Sequence, residues 1–169
     1  MRIMIVDDNK NFVEVLRRWM ENEGYEVIKA FDGEECLEKI HEKPDIVLLD
    51  VMMPGIDGFE VCRRLKNNPE VSDIPVIILS ARGDEKDVLE GFNLGAIDYF
   101  PKTFSNKILI AKVNSVIKMR KIEMELRDKI GELERFTKLS VDRELRMVEL
   151  KKRIKELDLE LENKKVENQ

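Results

Sequence analysis

The sequence predicts a doubly wound α/β fold: a five-stranded parallel sheet, helices on both faces, and a last helix that runs on into a long extension. Three observations carry this prediction. Five short runs rich in Val, Ile and Leu alternate with amphipathic stretches at helix-plus-strand spacing, the pattern of parallel strands joined by crossover helices. Residues 46–49 (IVLL) and 76–79 (VIIL) are apolar at every position, as strands buried on both faces are. From residue 106 onward there is no proline and only one glycine, Gly131, so nothing stops the fifth helix.

Taken in order, residues 2–6 (RIMIV) form the first strand and end in Asp7-Asp8. Asn9 caps a helix whose apolar face is Phe12, Val15, Leu16, Trp19 and Met20, and Gly24 ends it. Residues 25–29 read as the second strand. Asp32-Gly33 turns the chain into a helix carrying Cys36, Leu37 and Ile40, and Pro44 separates it from the third strand. That strand runs from Ile46 to Val51, interrupted only by Asp50, and is followed by the turn-forming pairs Pro54-Gly55 and Asp57-Gly58. Phe59, Val61, Cys62 and Leu65 line the next helix, which stops at Asn67-Asn68-Pro69. Pro75 opens the fourth strand, ended by Ser80-Ala81. A weakly apolar helix over about 84–94, a fifth strand over 96–100 stopped by Pro101-Lys102, and a helix capped by Ser105 complete the alternation.

The bulk numbers narrow the class. The 169 residues hold one ordinary domain plus an addition. No stretch approaches the 18 apolar residues of a membrane span, and the apolar run at the N-terminus is too short for a signal peptide. A cytoplasmic protein without membrane contact is expected. Cys36 and Cys62 lack metal-ligand spacing and read as reduced core thiols. The net charge of −5 gives no general attraction to nucleic acid.

Charge also marks a boundary. Residues 119–169 carry 14 basic and 13 acidic side chains, against 16 and 22 over 1–118. A domain over 1–118 and a helical extension over 119–169 follow. With heptad position a at Met119, Leu126, Leu133, Ser140, Met147, Ile154 and Leu161, position d falls at Ile122, Lys129, Phe136, Arg143, Leu150, Leu157 and Lys164. Six of seven a positions and four of seven d positions are apolar, which argues for a coiled coil about 60–65 Å long. A single helix cannot bury its own seam, so a second chain is the expected partner, giving a homodimer; docking to another helical signalling protein is the alternative. The weak centre at Ser140 and Arg143 reads as a register shift or as a polar layer.

The strand ends concentrate the chemistry. Asp7-Asp8, Asp50, Ser80 and Lys102 each follow a different strand, and in a parallel sheet these ends share one edge. A carboxylate at the end of a buried strand is costly unless it is paired, coordinated or used. Three carboxylates together repel unless a cation sits among them, and oxygen-only ligands suit Mg²⁺. A lysine and a hydroxyl beside that metal complete a set of groups for a phosphoryl group. A carboxylate can itself be the nucleophile, giving an aspartyl phosphate, and Asp50 is the best placed.

With these residues in line, residues 1 to about 120 resemble the receiver domain of bacterial two-component response regulators, a flavodoxin-like fold. Asp7-Asp8 match the family's acidic pair, Asp50 its phosphoacceptor, Met53 to Gly58 (MPGIDG) its loop, and Lys102 its lysine. The resemblance further implies that Ser80 is the switch hydroxyl, Ala81 the small residue after it, Tyr99 the switch aromatic, and Met52 a backbone-carbonyl ligand of Mg²⁺. It implies phosphorylation of Asp50 by a histidine kinase or a small phosphodonor. The chain would then be a phosphoacceptor regulator rather than an enzyme, limited to its own phosphorylation and dephosphorylation. Receivers usually carry Lys-Pro-Phe with a cis bond where this chain has Lys102-Thr103-Phe104. A cis bond before Thr costs about 3–4 kcal/mol, so the peptide is either trans with a reshaped loop or strained.

Other readings compete. Asp-based phosphohydrolases also use Mg²⁺, but need an added general acid and a substrate cap, and no insertion here resembles a cap. Residues 134–151 resemble helical linkers that precede kinase or cyclase domains, which would make the chain the front of a larger signalling protein. No helix-turn-helix pattern follows the receiver, so direct DNA binding is not expected. His41 reads as a solvated surface residue, and Lys151-Lys152-Arg153 as a flank of the coiled coil.

Overall fold

The computed structural model describes residues 1–81, 85–103 and 105–167, with side chains through residue 156. Its elements are β1 (Arg2–Val6), α1 (Lys10–Asn22), β2 (Glu26–Ala30), α2 (Gly33–Lys39), β3 (Ile46–Asp50), α3 (Gly58–Asn67), β4 (Val76–Ser80), α4 (Glu85–Asn93), β5 (Asp98–Pro101) and α5 (Asn106–Glu167). All strands pair in parallel, in the order β2-β1-β3-β4-β5. The chain divides into two compact units, Met1–Lys121 and Ile122–Gln169.

In the first unit, alternation along each strand builds two cores. Met4, Val6, Val47, Leu49, Val76 and Ile78 face α2, α3 and α4, meeting Cys36, Val61, Cys62 and Leu65. Ile3, Ile5, Ile46, Leu48, Ile77 and Leu79 face the other way, onto Val13, Leu16 and Met20 of α1 and Leu109, Val113 and Val116 of α5. Each fully buried Ile or Leu contributes about 1.5–3 kcal/mol. With both faces covered, the only place left for polar chemistry on the three central strands is at their ends. Cys36 and Cys62 are buried free thiols.

The structure moves several boundaries from their expected places. In α1 the line of buried residues is Val13, Leu16 and Met20, whereas Val15 is 42% exposed; residues two apart lie about 200° apart on a helix, so only one of the two valines can face the sheet. The expected second helix tightens after Lys39 into a 3₁₀ turn, Ile40–Glu42, closed by Lys43 at φ 52°. The residue before Pro44 is barred from continuing a helix. β5 starts at Asp98 rather than at 96, because Ala96 belongs to the end of α4. Gly95 adopts φ +89°, its N–H donates to the Phe92 carbonyl, and the Ala96 N–H donates to the Gly91 carbonyl, a Schellman-type close.

The second unit is the continuation of α5 alone. Among its described residues the apolar side chains of Leu126, Leu133, Leu150 and Ile154 are exposed, with Phe136 at 71%. Among the described residues no helix is long and apolar enough to cross a membrane.

Candidate phosphoacceptor site

Sheet register brings the predicted residues together. Val6 pairs with Leu49, Asp50 with Leu79, and Ser80 with Pro101. Asp7 and Asp50 therefore leave neighbouring strands at the same level, with Ser80 one position beyond on β4 and Lys102 two positions beyond, just past the end of β5. Asp50 is 3% exposed and Asp7 fully buried, whereas Asp8 faces solvent. One carboxylate oxygen from each of Asp7, Asp8 and Asp50 lies within 4.8 Å of the others.

Lys102 ties the two buried carboxylates. Its Nζ stands 2.6 Å from Asp7 Oδ2 and 2.9 Å from Asp50 Oδ1, and 4.9 Å from the centroid of the Phe12 ring. Burial raises the Asp50 carboxyl above its usual range, the Asp7 charge adds to the rise, and Lys102 and the Met52 N–H offset part of it. Burial would lower Lys102, but hydrogen bonding and charge from Asp7 and Asp50 outweigh it and raise it. One ammonium among three carboxylates leaves the cluster short of positive charge. Asp7 Oδ1 accepts from the Asn9 N–H at 2.9 Å, while the buried Oδ2 has the Lys102 ammonium as its partner among the described residues. Three carboxylates gathered within 4.8 Å with a single ammonium among them form an oxygen-only cluster that fits a hard divalent cation.

The loop after β3 is held close to the site. Gly55 turns it at φ +79°. The Gly58 N–H donates to the Val51 carbonyl, and the Asp57 carboxylate caps α3 by accepting the Glu60 N–H at 2.8 Å. A Cβ on Gly58 would lie 2.0 Å from the Asp50 carbonyl oxygen; only glycine allows this approach.

The remaining predicted residues fall as follows. Ser80 is buried and Ala81 exposed. Tyr99 is buried in the core on the α4 side, close to Gly91. The Met52 side chain is exposed at the pocket mouth. No cis peptide occurs among the described residues, so Lys102–Thr103 is trans; the Lys102 N–H donates to the Ser80 carbonyl at 2.7 Å, holding the lysine in place without a proline. Phe104 lies outside the described residues. Sequence reading missed Phe12 as a neighbour of Lys102, and it missed Asp87, which lines an open pocket with Asp8, Met52, Phe59 and Ser80. Neither carries a local motif that would have marked it.

An acidic cluster with a bridging lysine, at the C-terminal edge of a parallel sheet in this strand order, defines a class of phosphoryl-handling α/β domains. The family model for the response regulator receiver domain matches residues 3–114, and the chain belongs to that family. It is 39% identical over 143 residues to the alkaline phosphatase synthesis transcriptional regulatory protein PhoP of Bacillus subtilis, covering 78% of this chain and 59% of PhoP. It is 42% identical over 123 residues to the response regulator MprA of Mycobacterium ulcerans, covering 72% of this chain and 52% of MprA. A putative response regulator from Chloroflexus aurantiacus superposes with a TM-score of 0.66 at 36% identity, covering 69% of this chain and 97% of that one. The chain thus spans between half and three fifths of the two curated relatives.

Proposed function

We propose that residues 1–118 are a phosphorylation-controlled switch that accepts a phosphoryl group on Asp50, and that residues 119–169 carry the change to a coiled-coil dimer or a helical partner. The observation that carries the reading is the bridge from Lys102 to both Asp7 and Asp50 within a trio of carboxylates that it only partly neutralises. In the transfer, an Asp50 oxygen attacks the phosphorus of the donor. The bond from phosphorus to the histidine nitrogen of a kinase, or to the oxygen of an acyl phosphate, breaks with its electrons leaving on the donor. Lys102 keeps its proton and holds one phosphoryl oxygen. Mg²⁺, which Asp7, Asp8, Asp50 and the Met52 carbonyl would hold, supplies positive charge to the other phosphoryl oxygens when bound. Ser80 donates its hydroxyl to the phosphoryl group with Ala81 leaving room beside it, and Tyr99 follows toward the vacated space.

The extension supports dimerisation because the apolar side chains of its seam are exposed among the described residues. Its even mix of basic and acidic side chains favours a protein partner over DNA, and nothing in the reading calls for a membrane, in keeping with a cytoplasmic regulator. PhoP is named as a transcriptional regulatory protein and is considerably longer than its match to this chain, which favours a second reading. On that reading the helix relays the switch to the output domain of a larger signalling protein. The test for the switch itself is incubation with radiolabelled acetyl phosphate and Mg²⁺. Wild type takes up label and Asp50→Ala does not; equal labelling of the two would overturn the assignment.

A further inference from the structure

Asp87 stands in the first turn of α4, half-buried, on the wall of the pocket shared with Asp8, Met52, Phe59 and Ser80. Two other carboxylates on that wall already have roles: Asp8 belongs to the acidic trio, and Asp57 caps α3. Asp87 makes no hydrogen bond or ion pair among the described residues. It is an idle acceptor on the wall of a pocket that it shares with two residues of the phosphoacceptor site, Asp8 and Ser80. The Asp50 carboxylate lies within 4.8 Å of that of Asp8 on the pocket wall, so a phosphoryl group on Asp50 would reach this open side of the site. In-line displacement then requires the attacking water to come from the solvent side of the phosphorus. Asp87 is on that side; Lys102 and Asp7 are not available as bases, being paired with each other.

We propose that Asp87 orients and deprotonates the water that hydrolyses the phosphoryl group from Asp50, and so sets the lifetime of the switched state. The inference rests on the reading of Asp50 as the phosphoacceptor. In the step, the water oxygen bonds to phosphorus and the proton it sheds passes to the Asp87 carboxylate. The bond between phosphorus and the Asp50 oxygen breaks, its electron pair returns to the Asp50 carboxylate, and inorganic phosphate leaves. A positioned general base contributes on the order of 10²–10⁴-fold to such a transfer in favourable sites; at an open pocket rim, about tenfold is expected.

The test uses the whole chain, loaded with radiolabelled acetyl phosphate and Mg²⁺ and then freed of donor. The half-life of the bound label is compared for wild type, Asp87→Asn and Asp87→Glu, in water and in heavy water. Asp87→Asn should lengthen the half-life about tenfold and abolish the slowing that heavy water causes in wild type, and Asp87→Glu should restore most of both. An unchanged or shorter half-life in Asp87→Asn overturns the proposal. So does a longer half-life with the heavy-water effect intact, since a repelling charge alone would give that result. Failure of wild type to take up label overturns the phosphoacceptor reading, and this inference with it.

Discussion

Asp7 Oδ2 and Lys102 Nζ stand 2.6 Å apart, and this oxygen, fully buried, has no aligned hydrogen-bond donor besides. The ammonium therefore holds together two carboxylates that would otherwise repel across the ends of β1 and β3. Removing it by Lys102→Met should cost about 2–4 kcal/mol, a little under the roughly 3–5 kcal/mol for breaking a fully buried pair because Lys102 keeps some contact with solvent. Mg²⁺ should recover part of that loss by taking the vacated role. Urea unfolding with and without millimolar Mg²⁺ reads both effects. A variant as stable as wild type, or one that gains no more from Mg²⁺ than wild type does, would show that the lysine does not balance the cluster.

Gly58 offers a second lever on the same strand. Its would-be Cβ falls 2.0 Å from the Asp50 carbonyl oxygen, with the Val51 backbone also within contact. Since both obstacles are backbone, neither can swing aside. Gly58→Ala should destabilise by about 3 kcal/mol or more and displace the strand end that carries Asp50. Chemical denaturation and labelling by acetyl phosphate should both fall; a variant with wild-type stability and labelling would mean the loop is far softer than its packing suggests.

Cys36 gives a pH signature independent of the site. Burial, aided by the Asp32 charge, pushes its thiol from an ordinary 9.0 up to about 12. The folded chain thus keeps the proton over a range in which the unfolded chain gives it up. The stabilising contribution is complete below about pH 9 and is lost as pH rises toward 12, amounting to up to about 4 kcal/mol by linkage. Cys36→Ala should be less stable than wild type at neutral pH and show a shallower loss of stability above pH 9. Parallel alkaline slopes for the two proteins would contradict the assignment.

How legible the molecule was depends on the distance over which each feature is decided. The all-apolar runs at 46–49 and 76–79 announced the central strands because they are short, rich in Ile and Val, and preceded by Pro44 and Pro75. Asp7, Asp50, Ser80 and Lys102 were legible as a group because parallel pairing sends every strand end to one edge. Val15 reads as a core residue in the place of Val13 because the hydrophobic spacing of α1 admits both, and contact with the sheet chooses. The start of β5 was misplaced because Ala96 is apolar yet closes the Schellman turn of α4. Asp87 left no trace in sequence, since its nearness to Ser80 and Asp8 is made by the return of α4 over the sheet edge, a purely tertiary event.

The extension supports the last prediction. Leu126 and Leu133 occupy successive a positions and are exposed in the single chain, so their burial can come only from a partner. In a two-chain coiled coil each buried Leu contributes about 1.5–3 kcal/mol, and each substitution is made on both chains. Leu126→Asp combined with Leu133→Asp removes four buried leucines from the dimer and should therefore weaken it by about 6 kcal/mol or more, over ten-thousandfold in Kd. Since neither residue belongs to the core of the first unit, unfolding of that unit should be unchanged. Arg143→Leu, which repairs the charged d position at the weak centre, should act in the opposite direction and tighten the dimer. Sedimentation equilibrium over the micromolar range distinguishes the cases. A wild-type chain that stays monomeric throughout, or a double variant as dimeric as wild type, would remove the coiled coil as the seat of self-association.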